Sequence, residues 1–223
     1  MSARTLSPDD RLLVGLAALT AATGLIDATS YLGLGHVFTA NMTGNIVFLG
    51  FAFGGAAGFS IVASLLALGG FLAGAVVAGA LSSGDTLHRV TTAFVLEAVA
   101  LGGGAIIAAA VHRPGTGAAR WILLSLLGGA MGVQNATVRR LAVPDMTTTV
   151  LTLTLTGIAS DSRLAGGTNP RLQRRVTSVL LMLAGAAVGA VLERQALWWP
   201  IAVGALTVTG SLVMIGRQPD RRR

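Results

Sequence analysis

Two carboxyl groups stand where carboxyl groups are costly. Asp27 ends the apolar run G-L-I-D, and Glu97 sits inside F-V-L-E-A-V-A. A charge near the centre of a membrane helix costs on the order of 3 kcal/mol or more, so each is a candidate for ion or proton chemistry. Asp27 lies sixteen residues after Arg11, about 24 Å at helical rise, which would bring it close to a membrane interface. A solvated interfacial Asp is the plain alternative. Glu97 lies eight residues after Arg89, about 12 Å along a helix and nearer mid-membrane. It is the proton-coupling candidate; a carboxylic acid bonded to a neighbouring helix backbone is its structural alternative. The neutral polar groups around them are Asn41, Thr43, Asn45, Gln134, Asn135, Thr154 and Thr156. Such side chains offer donors and acceptors to a polar solute without a net charge.

These residues recur in pattern. G-L-I-D-A-T-S-Y at 24–31 is echoed by G-V-Q-N-A-T-V-R at 132–139, so Gly24, Asp27, Ala28 and Thr29 answer to Gly132, Asn135, Ala136 and Thr137. T-A-N-M-T-G-N at 39–45 is echoed by T-L-T-L-T-G-I at 152–158, and L-A-G-A at 72–75 by L-A-G-A at 183–186. The offsets are 108, 113 and 111 residues, so two halves repeat in order. The first repeat covers 11–111 and the second 119–216. Matched polar residues in two apolar halves point to a site where the halves meet, as in duplicated transporters. That site would join Asp27, Asn41, Thr43 and Asn45 to Gln134, Asn135, Thr154 and Thr156.

The elements that must position them are membrane helices. Hydrophobic residues make up 53% of the chain, charged residues 11%, and mean hydropathy is +0.74, outside the balance of a soluble domain. A span needs roughly 20 apolar residues. Six stretches qualify, at about 12–33, 60–81, 91–111, 119–138, 176–193 and 197–215. Residues 1–223 therefore read as one all-α integral membrane domain. Arg4 and Arg11 before an apolar run resemble a signal peptide, but cleavage would remove Asp27, so the run reads as the first span.

All sixteen basic residues are Arg, and the net charge is +7. They crowd loops and tails, as Arg163, Arg171, Arg174 and Arg175 do, and as Arg217, Arg221, Arg222 and Arg223 do at the C-terminus. The positive-inside rule accounts for this without nucleic acid and predicts a cytoplasmic C-terminus. Cysteine is absent and the three His share no ligand spacing, so neither a metal nor a cofactor is expected. Without Lys there is no P-loop, which argues against ATP-driven transport by this chain alone.

Two segments resist the helix pattern. Thr39, Asn41, Thr43 and Asn45 alternate with other residues, as do Thr152, Thr154 and Thr156, and each run ends at a glycine or just past one (Gly44, Gly157). Period 2 predicts extended backbone. Inside a membrane such backbone survives only when buried in protein or facing a wet cavity, so both segments are read as broken and site-forming. The alternative is a helix whose Thr side chains bond back to its own carbonyls. If both segments cross, there are eight spans and parallel repeats; if both are re-entrant, six spans and inverted repeats. Arg divides twelve to four in the first case and thirteen to three in the second. Both satisfy the charge rule, with six spans slightly favoured by the frequency of inverted repeats in transporters.

G-L-I-D-A-T-S-Y-L, V-F-T-A-N-M-T-G-N, G-V-Q-N-A and T-L-T-G, in that order, resemble the YoaK family of bacterial membrane proteins across nearly the whole chain. The resemblance implies a polytopic inner-membrane protein suspected of carrying a small molecule, and it brings no catalytic residues. Ile158 departs from the polar residue that follows the glycine in the first copy.

The leading expectation is a secondary carrier or facilitator of a small polar solute, embedded in the lipid bilayer. Its single acidic site residue hints at a cation, an amine or a proton-coupled solute. The alternative is a non-transporting scaffold or subunit packing through its Gly-rich helices, as a homo-oligomer could. An intramembrane enzyme ranks third, because no paired catalytic groups occur.

Overall fold

The computed structural model describes residues 7–81, 86–142 and 151–216. The charged tail with Arg217, Arg221, Arg222 and Arg223 lies outside the described residues. Within them the chain is helical, with no strand. The elements are α1 (Pro8–Gly33), α2 (Met42–Phe53), α3 (Ile61–Ala80), α4 (Thr86–Ala110), α5 (Gly117–Leu141), α6 (Leu151–Ser160), α7 (Leu172–Glu193) and α8 (Trp198–Gly216), with a 3-10 turn at Arg163–Ala165 before α7. Among the described residues six of these are long and apolar enough to cross a membrane, and α2 and the described part of α6 are shorter than that. The six coincide with the stretches expected from hydropathy. Several begin earlier; at α1 the extra turn is capped, Ser7 and Asp10 forming a reciprocal capping box with Pro8 in the first turn.

The expectation of extended backbone at 39–45 and 152–158 is corrected. Thr39, Ala40 and Asn41 are irregular, but Thr43 and Asn45 lie within α2, and Thr152, Thr154 and Thr156 within α6. The physical reason is local. Asn41 accepts the Gly44 amide as an N-cap, and the Thr156 hydroxyl donates to the Thr152 carbonyl at 2.9 Å. Alternating polar side chains are thus satisfied on a helix.

Chain directions follow from specific contacts. Gln134 of α5 meets Thr23 of α1, while Arg120 near the start of α5 meets Leu34 just past the end of α1, so the two helices run antiparallel. Gly24 lies against Met182 and Ala186, and Gly33 against Glu193, so α1 and α7 run parallel. Gly70 lies against Ser125, and Arg140 donates to the Ala78 and Gly79 carbonyls, so α3 and α5 run parallel as well. Ser211 donates to Gly15 while Gly204 abuts Ile26, making α8 antiparallel to α1. Gly104 faces Leu123 and Leu127, and Val90 sits near Leu141, making α4 antiparallel to α5.

Close approach explains two glycines in particular. A Cβ at Gly24 would collide with the Met182 carbonyl oxygen, and one at Gly132 with the Phe71 carbonyl oxygen. Both clashes are with backbone, so a side chain would force the helices apart. The core between them is apolar and dense, with Leu16, Leu19, Ile26, Phe94, Leu101, Leu123, Leu127 and Ile201 fully buried. Large apolar side chains such as Val76, Ile106 and Leu206 point outward, as lipid-facing positions do.

Candidate functional site

Asp27 is built into a break in the chain. Six residues beyond it α1 ends, and the chain turns through Gly35 and His36, both at positive φ. The turn brings Thr39 and Ala40 back beside α1. Their N–H groups donate to Asp27 Oδ1 at 2.9 and 2.7 Å, and the Asn41 N–H faces the same carboxylate. Consecutive amides converging on one oxygen form an anion-binding nest, and here the anion is the protein's own side chain. Both bonds end on Oδ1, and Oδ2 receives neither. Asp27 is only 4% exposed.

A cavity of about 300 Å³ opens on this carboxylate. Gly24, Asp27 and Ala28 of α1, Met182 and Ala186 of α7, and Asn41 surround it, and Tyr31 and Phe38 form an aromatic wall. The two rings stack at a centroid separation of 5.1 Å, and Phe38 stacks in turn on Phe48 of α2 at 5.6 Å. A carboxylate beside aromatic faces is chemically matched to an organic cation, since both the charge and the ring quadrupoles attract it.

Asn45 does different work. Its Oδ1 accepts the Phe38 N–H at 2.8 Å and its Nδ2 donates to the Phe38 carbonyl at 2.5 Å. Buried at 1% exposure, it holds the aromatic wall in place and does not line the cavity. Thr43 is exposed on α2.

Gln134 is fully buried, and its Nε2 donates to the Thr23 hydroxyl at 2.7 Å, one turn of α1 before Asp27. Thr23 passes its own hydrogen to the Leu19 carbonyl. The Gln134 Oε1 has no partner. Glu97 is also fully buried, and among the described residues neither of its oxygens has a hydrogen-bond partner. The register of α4 on α5, with Gly104 at Leu127 and Val90 near Leu141, brings Glu97 to the level of Gln134. An unpartnered carboxyl in an apolar interior is costly, which keeps Glu97 a candidate functional position.

Second-half candidates lie elsewhere. Asn135 is half-buried on α5 and donates to the Met131 carbonyl. Thr154 is buried on α6 and Thr156 exposed. Because α6 meets the first turn of α7, which lies beside the N-terminal half of α1, these Thr sit at the opposite end of the bundle from α2. Asp27 and Asn41 therefore share one cavity, Gln134 and Glu97 lie deeper in the core, and Asn135, Thr154 and Thr156 do not join them. Among the described residues no three His, Asp or Glu side chains cluster as a metal site would require.

Two features went unread in the sequence. The aromatic wall had a signal: five of the seven Phe and the single Tyr fall between 31 and 59. Arg175, counted there with the loop arginines, is 7% exposed and bonds the Gly157 carbonyl at 2.6 Å and Asp161 Oδ2 at 2.7 Å. It ties α6 to α7, and only the spacing of one Asp fourteen residues earlier hinted at it.

Residues 15–214 match the family model described as "Protein of unknown function (DUF1275)". The chain is 33% identical to the UPF0700 transmembrane protein YoaK of Bacillus subtilis (strain 168), over 92% of its own length and 96% of that relative. No solved structure matches it.

Proposed function

The chain belongs to the DUF1275/YoaK family and is a multi-pass membrane protein with six apolar helices; from that premise we propose that it is a secondary transporter or facilitator of a small polar solute. The observation that carries the reading is Asp27: a carboxylate inside a membrane span, clasping the break before α2 through one oxygen and opening on a cavity with an aromatic wall. A solute with an ammonium or comparable cationic group suits that cavity best. Glu97, with no partner at mid-bundle, is the proton-coupling group of this reading.

The proposal includes two inverted repeats. Exchanging α1 with α5, α2 with α6, α3 with α7 and α4 with α8 converts the pair α1–α7 into α5–α3, and α1–α8 into α5–α4. Gly24 against Met182 and Ala186 becomes Gly132 against Phe71 and Ala75, each partner displaced by 111 residues. The antiparallel course of α1 and α5 supports inversion. Residues 34–60 leave α1 and enter α3 at the same end, which supports a re-entrant α2; α6 would be its counterpart at the other face. Six spans then set thirteen Arg on one side against Arg113, Arg120 and Arg194 on the other, giving cytoplasmic termini in an inner membrane. A solute would pass between the α2 and α6 faces by rocking of the halves, as in other inverted-repeat carriers.

A scaffold is the second reading, favoured by the many hydroxyls bonded to their own helix, such as Thr20, Thr29, Thr137 and Thr207. Flux separates the two. Asp27→Asn keeps an oxygen for the Thr39 and Ala40 amides while removing the charge. Reconstituted wild type should move an amine or amino acid down an imposed gradient, and Asp27→Asn should lose at least about 90% of that flux while keeping its melting temperature within a few degrees. Absence of flux for every solute tried, or unchanged flux in Asp27→Asn, would overturn the transporter reading.

A further inference from the structure

At the arginine-rich end of the bundle a second cavity, of about 260 Å³, lies between the end of α3, the start of α4 and the end of α5. Arg89, Thr137 and Arg140 are its polar residues, set among Ala78, Val90 and Leu141. Among the described residues its lining carries two guanidinium groups and no carboxylate.

The two arginines are in different states. Arg140 donates Nη1 to the Ala78 carbonyl and Nη2 to the Gly79 carbonyl, both at 2.9 Å. It is held in place, and three of its five N–H groups are uncommitted. Among the described residues Arg89 has no hydrogen-bond or ion-pair partner, and its Nε is buried without one. Arginine placed only to orient a helix by the positive-inside rule keeps its head in water. A buried guanidinium N–H without an acceptor has lost its water and gained nothing in exchange. Arg89 also lies within the first turn of α4, where helix N–H groups add positive potential.

We propose that this cavity binds a phosphate group between Arg89 and Arg140. Two guanidinium forks match the oxygens of a tetrahedral oxyanion, and the fixed Arg140 supplies half of the site already formed. The Thr137 hydroxyl is committed to the Val133 carbonyl and keeps its acceptor side only, so the binding donors are the arginines. The volume accommodates a phosphate with a short attached group. That phosphate belongs either to an anionic lipid headgroup or to a small soluble phosphate, and the site does not depend on the transporter reading.

The test uses the purified full chain and two probes. In the lipid arm, co-purifying and added phosphatidylglycerol is measured by native mass spectrometry against phosphatidylcholine. In the soluble arm, inorganic phosphate is titrated against thermal unfolding in a neutral detergent. Wild type should retain phosphatidylglycerol selectively, or should be stabilised by phosphate. Arg89→Gln should weaken whichever response is seen at least about tenfold. Arg163→Gln, exposed at the same end of the bundle, should leave it unchanged. Arg89→Lys keeps the charge but not the fork and should give an intermediate loss, which keeps the test decisive if Arg89→Gln folds poorly. A response in the first arm assigns the lipid, and a response in the second assigns the soluble anion. No selective response in either arm, or equal losses from Arg89→Gln and Arg163→Gln, would overturn the site.

Discussion

Gln134 on α5 reaches across to α1 and donates a 2.7 Å hydrogen bond to Thr23, so one turn before Asp27 the two halves of the chain are joined by a buried polar contact. The contact is incomplete, since the Gln134 Oε1 accepts nothing. A single neutral hydrogen bond is worth about 0.5–1.5 kcal/mol net, and an orphan acceptor costs about 1–3 kcal/mol. These nearly cancel. Gln134→Leu should therefore leave unfolding stability within about 1 kcal/mol of wild type, while reducing solute flux several-fold if the polar line from Asp27 inward conducts. Denaturation and liposome flux measured on one preparation check both halves of this expectation, and loss of stability with intact flux would contradict it.

Asn45 is expected to be structural. Replacing it with Ala strips both the N–H and the carbonyl of Phe38 of their partner inside the protein. The cost should be about 2–4 kcal/mol, the sum of two unsatisfied backbone groups less relaxation. Thr43→Ala, on the exposed face of α2, should cost under about 0.5 kcal/mol. Equal effects from the two substitutions in a thermal unfolding assay would show that the Phe38 clasp is unimportant.

Topology can be read with single cysteines, because the natural chain has none. His112 lies between α4 and α5 and Thr168 between α6 and α7, both exposed. With six spans His112→Cys and Thr168→Cys label from opposite sides with a membrane-impermeant maleimide. With eight they label from the same side. Labelling from one side would remove the inverted arrangement.

Asp161 gives a pH dependence outside the spans. The hydrogen bond from Arg175 holds its carboxyl below the usual aspartate range. A depressed folded value means the stabilisation is full above the ordinary aspartate pKa and is lost as pH falls through the folded one. Melting temperature should thus decline on acidification below about pH 4, and Asp161→Asn should remove part of that decline while lowering stability at pH 7. A variant that falls as steeply as wild type would exclude this ion pair as the source.

Much of the architecture was legible without coordinates. Apolar runs of about 20 residues can only be satisfied as helices in lipid, because every backbone N–H and C=O must bond internally. That constraint made the six long helices readable to within a few residues at most ends. The same constraint explains the misreading of the Thr-rich segments. Period 2 in side chains predicts strand, yet backbone in apolar surroundings favours helix, and Thr156 bonding to Thr152 shows how the hydroxyl is accommodated.

What tertiary structure alone decided concerns partners and directions. The residue type of Asp27 announced a costly group, but its partners, the Thr39 and Ala40 amides, come from a turn whose path no periodicity encodes. Arg counts satisfied the charge rule for either course of the chain; the antiparallel run of α1 and α5 emerged only from the meetings of Thr23 with Gln134 and of Leu34 with Arg120. The physical reason is range. Hydropathy and capping act within a few residues and can be read locally, whereas a buried polar side chain is satisfied by whatever the packed helices bring within about 3 Å of it.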